Sequence, residues 1–409
     1  MALTATIEKN PMPRLEEAAV NGRSIPALFR EAFRERGTRT AMRHKRRGIW
    51  EAITWDDYAA AVCEVGCALL ASGLRRGDRV AILSENRPDW LYVDLGAQSV
   101  GCAVVGIDVS EPTERVADIL NDCGARVLFV DTAEQLDGVR ATFAQTPALE
   151  CVVHFDARVG PAEIHVQVVD LARFRTDGRQ FNEAHPGRWE AEIDRAAAGD
   201  IAVMAYESGS GGARLPQADL VRQTQAIAQG CPSVDGDEQL SVLPLSHVRE
   251  RCFTAYRPLT VGSIVNFAEG SDNLVDGLRD VAPHVAMATP AILEILHATI
   301  TTTIADASPL GRLVYRLAVD TNLASTGRTN LEPRPPTLGA LIARALVLNR
   351  IKTMIGLRRA RLLVCDGAPM PAALLRWYRA LGLNVVDARD GEGWRPSGAS
   401  DTLVDKVSR

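Results

Sequence analysis

The sequence predicts an α/β fold with mostly parallel sheets covered on both faces by helices. Short apolar runs recur along the chain, and amphipathic helical patterns separate them. Strands buried on both faces read as continuous apolar runs, and parallel order requires crossover helices that cover those faces. At 409 residues the chain can bury a large core shared among two or three subdomains.

The first series begins at Thr54, which can cap a helix whose third position is Asp57. That helix carries Tyr58, Val62, Val65 and Leu69 inward and stops at Gly73. VAILS (80–84) reads as a buried strand, and Pro88 suits the first turn of the helix that follows. CAVVGID (102–108) is the next strand, and Pro112 opens the helix PTERVADILND. RVLFV (126–130) and CVVHF (151–155) complete a β-α-β-α-β series. Residues 156–198 are polar and irregular and read as a connector. A second series has strands at 201–206, 263–268, 284–289, 361–365 and 384–388, with a long helical excursion over 308–358. After Ala388 the polar run RDGEGWRPSGASDTLVDKVSR reads as a mobile tail.

Hydrophobic content of 46% and charged content of 24% are those of a soluble globular protein. A net charge of −5 argues against a nucleic-acid surface. No apolar run approaches the ~20 residues of a membrane span, and the N-terminus lacks a secretory signal pattern. The eight cysteines show no paired metal-ligand spacing and read as buried thiols of a reducing cytoplasm.

The stretch YESGSGGARLPQADL (206–220) directly follows the apolar run IAVMA. Small residues after a buried strand can present backbone N–H groups to an anion. Such a loop normally brings a lysine to the phosphate, yet the only lysines are Lys9, Lys45, Lys352 and Lys406. The alternative is a plain flexible turn.

Several ordered blocks resemble adenylate-forming enzymes of the long-chain fatty acid–CoA ligase type. They are DWLYVDLGAQSVGCAVVGIDVSEPTERVADILNDCGARVLFV, SVLPLSHVRERC, DGLRDVAPHVAMATPAILEIL and ARLLVCDGAPMPAALLRWYRALGL. The resemblance covers roughly residues 25–388 and implies two stacked α/β subdomains. It divides the chain into an N-terminal extension (1–24), a first subdomain with connector (25–198), a second subdomain (199–388) and a polar tail (389–409). Such enzymes join a carboxylic acid to ATP with Mg2+, giving an acyl-adenylate, and pass the acyl group to coenzyme A.

The family's phosphate loop runs Tyr-Thr-Ser-Gly-Thr-Thr-Gly-x-Pro-Lys-Gly-Val. Tyr206, Ser208, Gly209 and Gly212 match it, Ser210 keeps a hydroxyl, and Gly211 replaces a threonine. The lysine-bearing portion is shortened to Ala213-Arg214, which makes Arg214 the loop's remaining cation. Glu207 adds a negative charge, and a like-charge pair at ~4 Å costs ~4 kcal/mol at an effective dielectric of ~20. Gly367, Ala368 and Pro369 match the segment that lines the adenine pocket, with Asp366 where glycine is common. Glu392 lies one position early for the magnesium-holding glutamate. His247 of LPLSH is either a contact for a substrate carboxylate or a buried histidine bonded to backbone, and Glu250 reads as a surface or capping carboxylate. Phe253, Tyr256, Trp377 and Tyr378 read as core.

The resemblance therefore implies a catalytically impaired relative, with no catalytic residue assigned. A non-catalytic acyl-, nucleotide- or protein-binding pseudoenzyme and an active ligase with altered motifs are the alternatives. After Ala388 the chain has no room for most of the family's β-barrel or its C-terminal lid. The surface the barrel would cover, near Trp377, Leu381 and Leu383, is then expected to mediate homo- or hetero-association. Fatty acid or acyl-adenylate is the expected ligand.

Overall fold

The computed structural model describes residues 23–155, 166–206, 212–231, 233–270, 274–306, 308–309, 312–313, 315–316 and 348–387. Its first elements are α1 (Ile25–Arg36) and the hairpin β1 (Thr40–Arg46) and β2 (Ile49–Thr54). Helix α2 (Trp55–Ala71) starts at the expected capping box, in which Thr54 Oγ1 accepts from the Asp57 amide and the Asp57 carboxylate accepts from the Thr54 amide. Strand β3 (Arg79–Leu83), α3 (Pro88–Ser99), β4 (Ala103–Ile107), α4 (Thr113–Cys123), β5 (Val127–Val130) and β6 (Cys151–His154) follow as the sequence predicts, with a further helix, α5 (Ala133–Arg140), between β5 and β6.

These strands form a seven-stranded sheet with β7 (Gln167–Asp170), β8 (Ile201–Ala205) and β9 (Ala213–Pro216), in the order β7-β6-β5-β3-β4-β8-β9. All neighbours are parallel except β9, which runs antiparallel to β8. Successive residues of β3 supply opposite faces. Val80 and Ile82 join one core, while Ala81 and Leu83 join the other beneath α4 and α5.

Beyond α8 (Gln217–Gly230), strands β10 (Glu238–Leu240) and β11 (Ile264–Phe267) pair with the early hairpin in the order β10-β11-β1-β2. Between them lie α9 (Val248–Arg251), a π-turn at Cys252–Tyr256, and α10 (Arg257–Val261). Helix α11 (Leu274–Val281) leads to β12 (Val285–Ala288) and α12 (Pro290–Ala305). Helix α13 (Asn349–Met354) precedes β13 (Leu362–Cys365), α14 (Ala372–Ala380) and β14 (Val385–Asp387). Strands β12, β13 and β14 form a parallel three-stranded sheet. The sheets do not part at residue 199: β8 and β9 join the first, and β1 and β2 join a sheet with β10 and β11. The largest core holds residues of β3, β4, β11, β12 and β13 with α1, α2, α3 and α8, so both halves of the chain share it.

Residues 156–198 are not an irregular connector where they are described. Asp170 caps α6 (Leu171–Ala184), and α7 (Arg188–Asp194) follows. Helix α6 lies so close to α2 that a Cβ at Gly178 would sit 1.8 Å from the Glu64 carbonyl oxygen, so only glycine fits. The three residues expected at the association surface are core instead. Leu381 and Leu383 are buried in the second core, and Trp377 packs edge-on against His297 and Tyr378 while donating to Tyr315 at 2.9 Å. These side chains fill that core, and the most exposed of them, Trp377, is at 9%. Phe253, Tyr256 and Tyr378 are core as expected. The tail and most of 308–347 lie outside the described residues. Among the described residues no helix is long and apolar enough to cross a membrane.

Candidate functional site

Strand β8 is the IAVMA run, and β9 returns beside it with Ala205 opposite Ala213 and Met204 opposite Arg214. Glu207, Ser208, Gly209, Ser210 and Gly211 lie outside the described residues, as does Glu392. At the loop's base, the Tyr206 hydroxyl donates to Asp122 at 2.6 Å. Burial, with that carboxylate, pushes the phenol up. Gly212 rests against the Tyr206 ring, where a Cβ would come within 2.6 Å.

Arg214 is exposed on β9 and lines a cavity of about 390 Å³ with Arg76, Arg79, Asp122 and Asp200. The cavity lies where β3, β4 and β8 begin, and no residue of 240–250 or 366–370 lines it. Its other guanidiniums are engaged. Arg76 pairs with Asp200 at 2.6 Å and with Glu192 at 3.4 Å, and Arg79 donates to the Cys123 and Gly124 carbonyls at the end of α4.

The LPLSH block is held by the loop after β3. Asn86 Nδ2 donates to the Leu243 carbonyl at 2.6 Å and to Ser241 Oγ at 2.9 Å, while Asn86 Oδ1 accepts from the Leu245 amide at 2.9 Å. Buried Leu245 and Val248 anchor the block, and His247 between them is exposed as α9 begins. The buried-histidine alternative is thereby excluded. The π-turn after α9 has a local cause: Pro258, in the first turn of α10, has no N–H to return to the preceding turn.

Two residues of this block take roles the sequence did not indicate. Glu250 is not a surface carboxylate: it is 1% exposed, and Oε1 accepts from Thr254 Oγ1 at 2.6 Å. Burial pushes its pKa up to about 8. Arg251 is fully buried, lies over the Trp90 ring at 4.6 Å, donates through Nε to the Leu245 carbonyl at 3.1 Å, and sits 3.7 Å from Asp94. Gly106 makes room for it, since a Cβ there would lie 2.4 Å from Arg251 Nη2. Asp94 accepts from Gln98 at 3.0 Å and from Tyr256 at 2.9 Å. Burial raises the Asp94 pKa, and Arg251 and the two donors oppose that rise. The faint sequence signal for Arg251 is its place three residues after Val248, on the inward side of a helix.

At the end of β13 the Asp366 amide donates to the Ala288 carbonyl at 3.0 Å. Gly367 follows with φ +95°, a conformation that favours glycine, and Gly367, Ala368 and Pro369 are exposed. Arg249 Nη1 forms an ion pair with Asp366 Oδ1, which ties α9 to the 366–369 turn. The structure thus brings the His247 and Gly367–Pro369 segments into one neighbourhood and leaves Arg214 in a separate cavity. Lys45 is on β1, paired with Asp280, and Lys352 is on α13. Among the described residues no group of three or more His, Cys, Asp or Glu side chains could hold a metal ion.

A family model described as AMP-binding enzyme matches residues 29–388. The chain belongs to the AMP-binding enzyme family. The human long-chain-fatty-acid–CoA ligase ACSBG1 is 28% identical over 377 residues, covering 88% of this chain and 50% of its own. The ligase FadD15 of Mycobacterium bovis is 28% identical over 353 residues, covering 83% of this chain and 56% of its own. This AMP-binding family member thus spans about half the length of the curated relatives it matches. Among solved structures, the adenylation domain of a carboxylate reductase from Mycobacterium chelonae superposes with a TM-score of 0.66 at 18% identity, covering 90% of this chain and 58% of that one. A long-chain-fatty-acid–CoA ligase from Archaeoglobus fulgidus gives 0.63 at 16% identity, with 89% and 63% covered. These likenesses support the α/β adenylation-domain fold.

Proposed function

We propose that this AMP-binding family member holds an adenylate and a fatty acid beside α9 and the 366–369 turn, and that it forms acyl-adenylate poorly. The observation that carries this reading is the position of Arg214. The loop's only cation lies in a cavity that shares no residue with the 240–250 or 366–370 segments. The exposed backbone of Gly367, Ala368 and Pro369 can border an adenine ring, and exposed His247 can meet a carboxylate. Arg249 can meet one anionic group.

ATP would supply the adenylyl group and release pyrophosphate, chemistry that depends on neutralising the triphosphate charge. The described residues near the turn suit a monophosphate better than a triphosphate, because they include no lysine and no metal-holding cluster. Losing one preorganised charge contact of this kind costs on the order of 10²–10³-fold in rate. The eight free cysteines support a reducing, cytoplasmic setting.

Calorimetry with ATP, AMP and a long-chain acyl-adenylate analogue tests the binding half, and pyrophosphate release tests the chemistry. The reading expects AMP and the analogue to bind while release stays at background across several fatty acids. Fatty-acid-dependent release that Ser208→Ala abolishes would contradict it, and so would the absence of any binding.

A further inference from the structure

We propose that Arg249 receives the anionic group of the ligand, and that Asp366 holds that place as an internal carboxylate until the ligand displaces it. The inference rests on the reading of this neighbourhood as an adenylate and fatty-acid site. Arg249 and Asp366 are the side chains that link the two segments, one from α9 and one from the end of β13. Both reach solvent, at 31% and 13% exposure, so the pair can open without unfolding its surroundings.

The neighbouring arginines cannot take this role. Arg251, two residues on, is 0% exposed, packed against Trp90 and beside Gly106. Arg214 faces the separate cavity. Arg257 is also fully buried, donating to the Cys231 carbonyl, Ser233 and Gln239.

A guanidinium binds carboxylate and phosphate with the same planar donors, so exchange of one for the other keeps its geometry. The Asp366 backbone is fixed by its bond to Ala288, and the left-handed Gly367 turns the exposed 367–369 backbone away directly after it. A ligand lying on that turn places its own anion next to Arg249. Its phosphate or carboxylate then competes with Asp366 for one cation, and wild-type affinity is set by that competition.

The test titrates the full chain, Asp366→Asn, Arg249→Gln and the double variant with AMP and with adenosine, after thermal melts confirm that each is folded. A second arm compares decanoate with decanol. The proposal expects Asp366→Asn to tighten AMP by about tenfold without changing adenosine, as for removal of one charged competitor. Arg249→Gln should bring AMP down to the adenosine level and cancel the gain in the double variant, and Arg249→Lys should fall between. A gain for decanoate over decanol instead assigns the anion to the fatty acid and supports the exchange equally. Wild-type preference for AMP over adenosine that neither variant alters, with no change for decanoate, refutes the exchange and leaves the site reading intact. If neither wild type nor Asp366→Asn binds AMP or decanoate, the site reading falls and the exchange with it.

Discussion

Two arginine-lined regions of the molecule invite comparison. The cavity where β3, β4 and β8 begin has three guanidiniums, from Arg76, Arg79 and Arg214. The α9 region has one accessible guanidinium, Arg249, over a buried one, Arg251. The cavity looks the stronger anion receptor by charge count, yet Arg76 is held by two carboxylates and Arg79 by carbonyls at the end of α4. Of its carboxylates, Asp200 is one of the two that hold Arg76, and Asp122 accepts from the Tyr206 hydroxyl. The lesson is that a charge with a single solvent-reachable partner next to open backbone matters more than the number of arginines. At α9 the accessible arginine has one exchangeable partner and stands beside the turn at 367–369.

The buried layer beneath Arg249 is the first place to strain that contrast. Arg251→Ala removes a buried guanidinium and leaves Asp94 without its countercharge, and breaking a buried pair costs roughly 3–5 kcal/mol. A urea midpoint unchanged from wild type would show that Arg251 is no part of the scaffold.

Glu250 gives an effect of similar size that depends on pH. Its pKa is raised from 4.5 to about 8 in the folded chain, so the folded state keeps a proton the unfolded state releases. Stability from this group is fully present below about 4.5 and is lost as pH rises through about 8. Glu250→Gln should flatten that decline, with a gain over wild type of up to ~4 kcal/mol near the upper end. Parallel stability–pH curves for the two proteins would contradict the burial assigned to this carboxylate.

Away from the site, Gly178→Ala pushes a methyl into the Glu64 carbonyl and should cost about 1–3 kcal/mol by prising α6 from α2. Thr54→Ala removes the α2 cap and should cost about 1 kcal/mol. Both should leave AMP binding unchanged, which separates scaffold from site.

How much of this was legible in the sequence follows from where each signal resides. Strands β3 to β6 and β8 are short apolar runs buried on both faces, so local composition reveals them. Strand β1, TAMRHKR, carries four basic residues and no alternation: it buries only Ala41 and Met42, and pairing with β2 and β11 fixes its place. Strand β9 buries only Leu215, and α6 buries only Leu171, Phe174 and Gly178, too little for a period to show. In the site, the LPLSH and GAP blocks were visible as motifs. The burial of Glu250 and Arg251 was not, because the groups around them come from Trp90, Asp94, Gly106 and Asp366, far away in the chain. The cavity that takes Arg214 was hidden for the same reason, being assembled by the pairing of β9 with β8.

The most direct measurement of the central claim is the AMP affinity of Arg214→Ala against that of Arg249→Gln. If the working cation is at α9, Arg214→Ala binds AMP as wild type does, while Arg249→Gln weakens binding by about tenfold or more. Loss of AMP binding in Arg214→Ala with Arg249→Gln unaffected would place the anion in the other region and contradict the account.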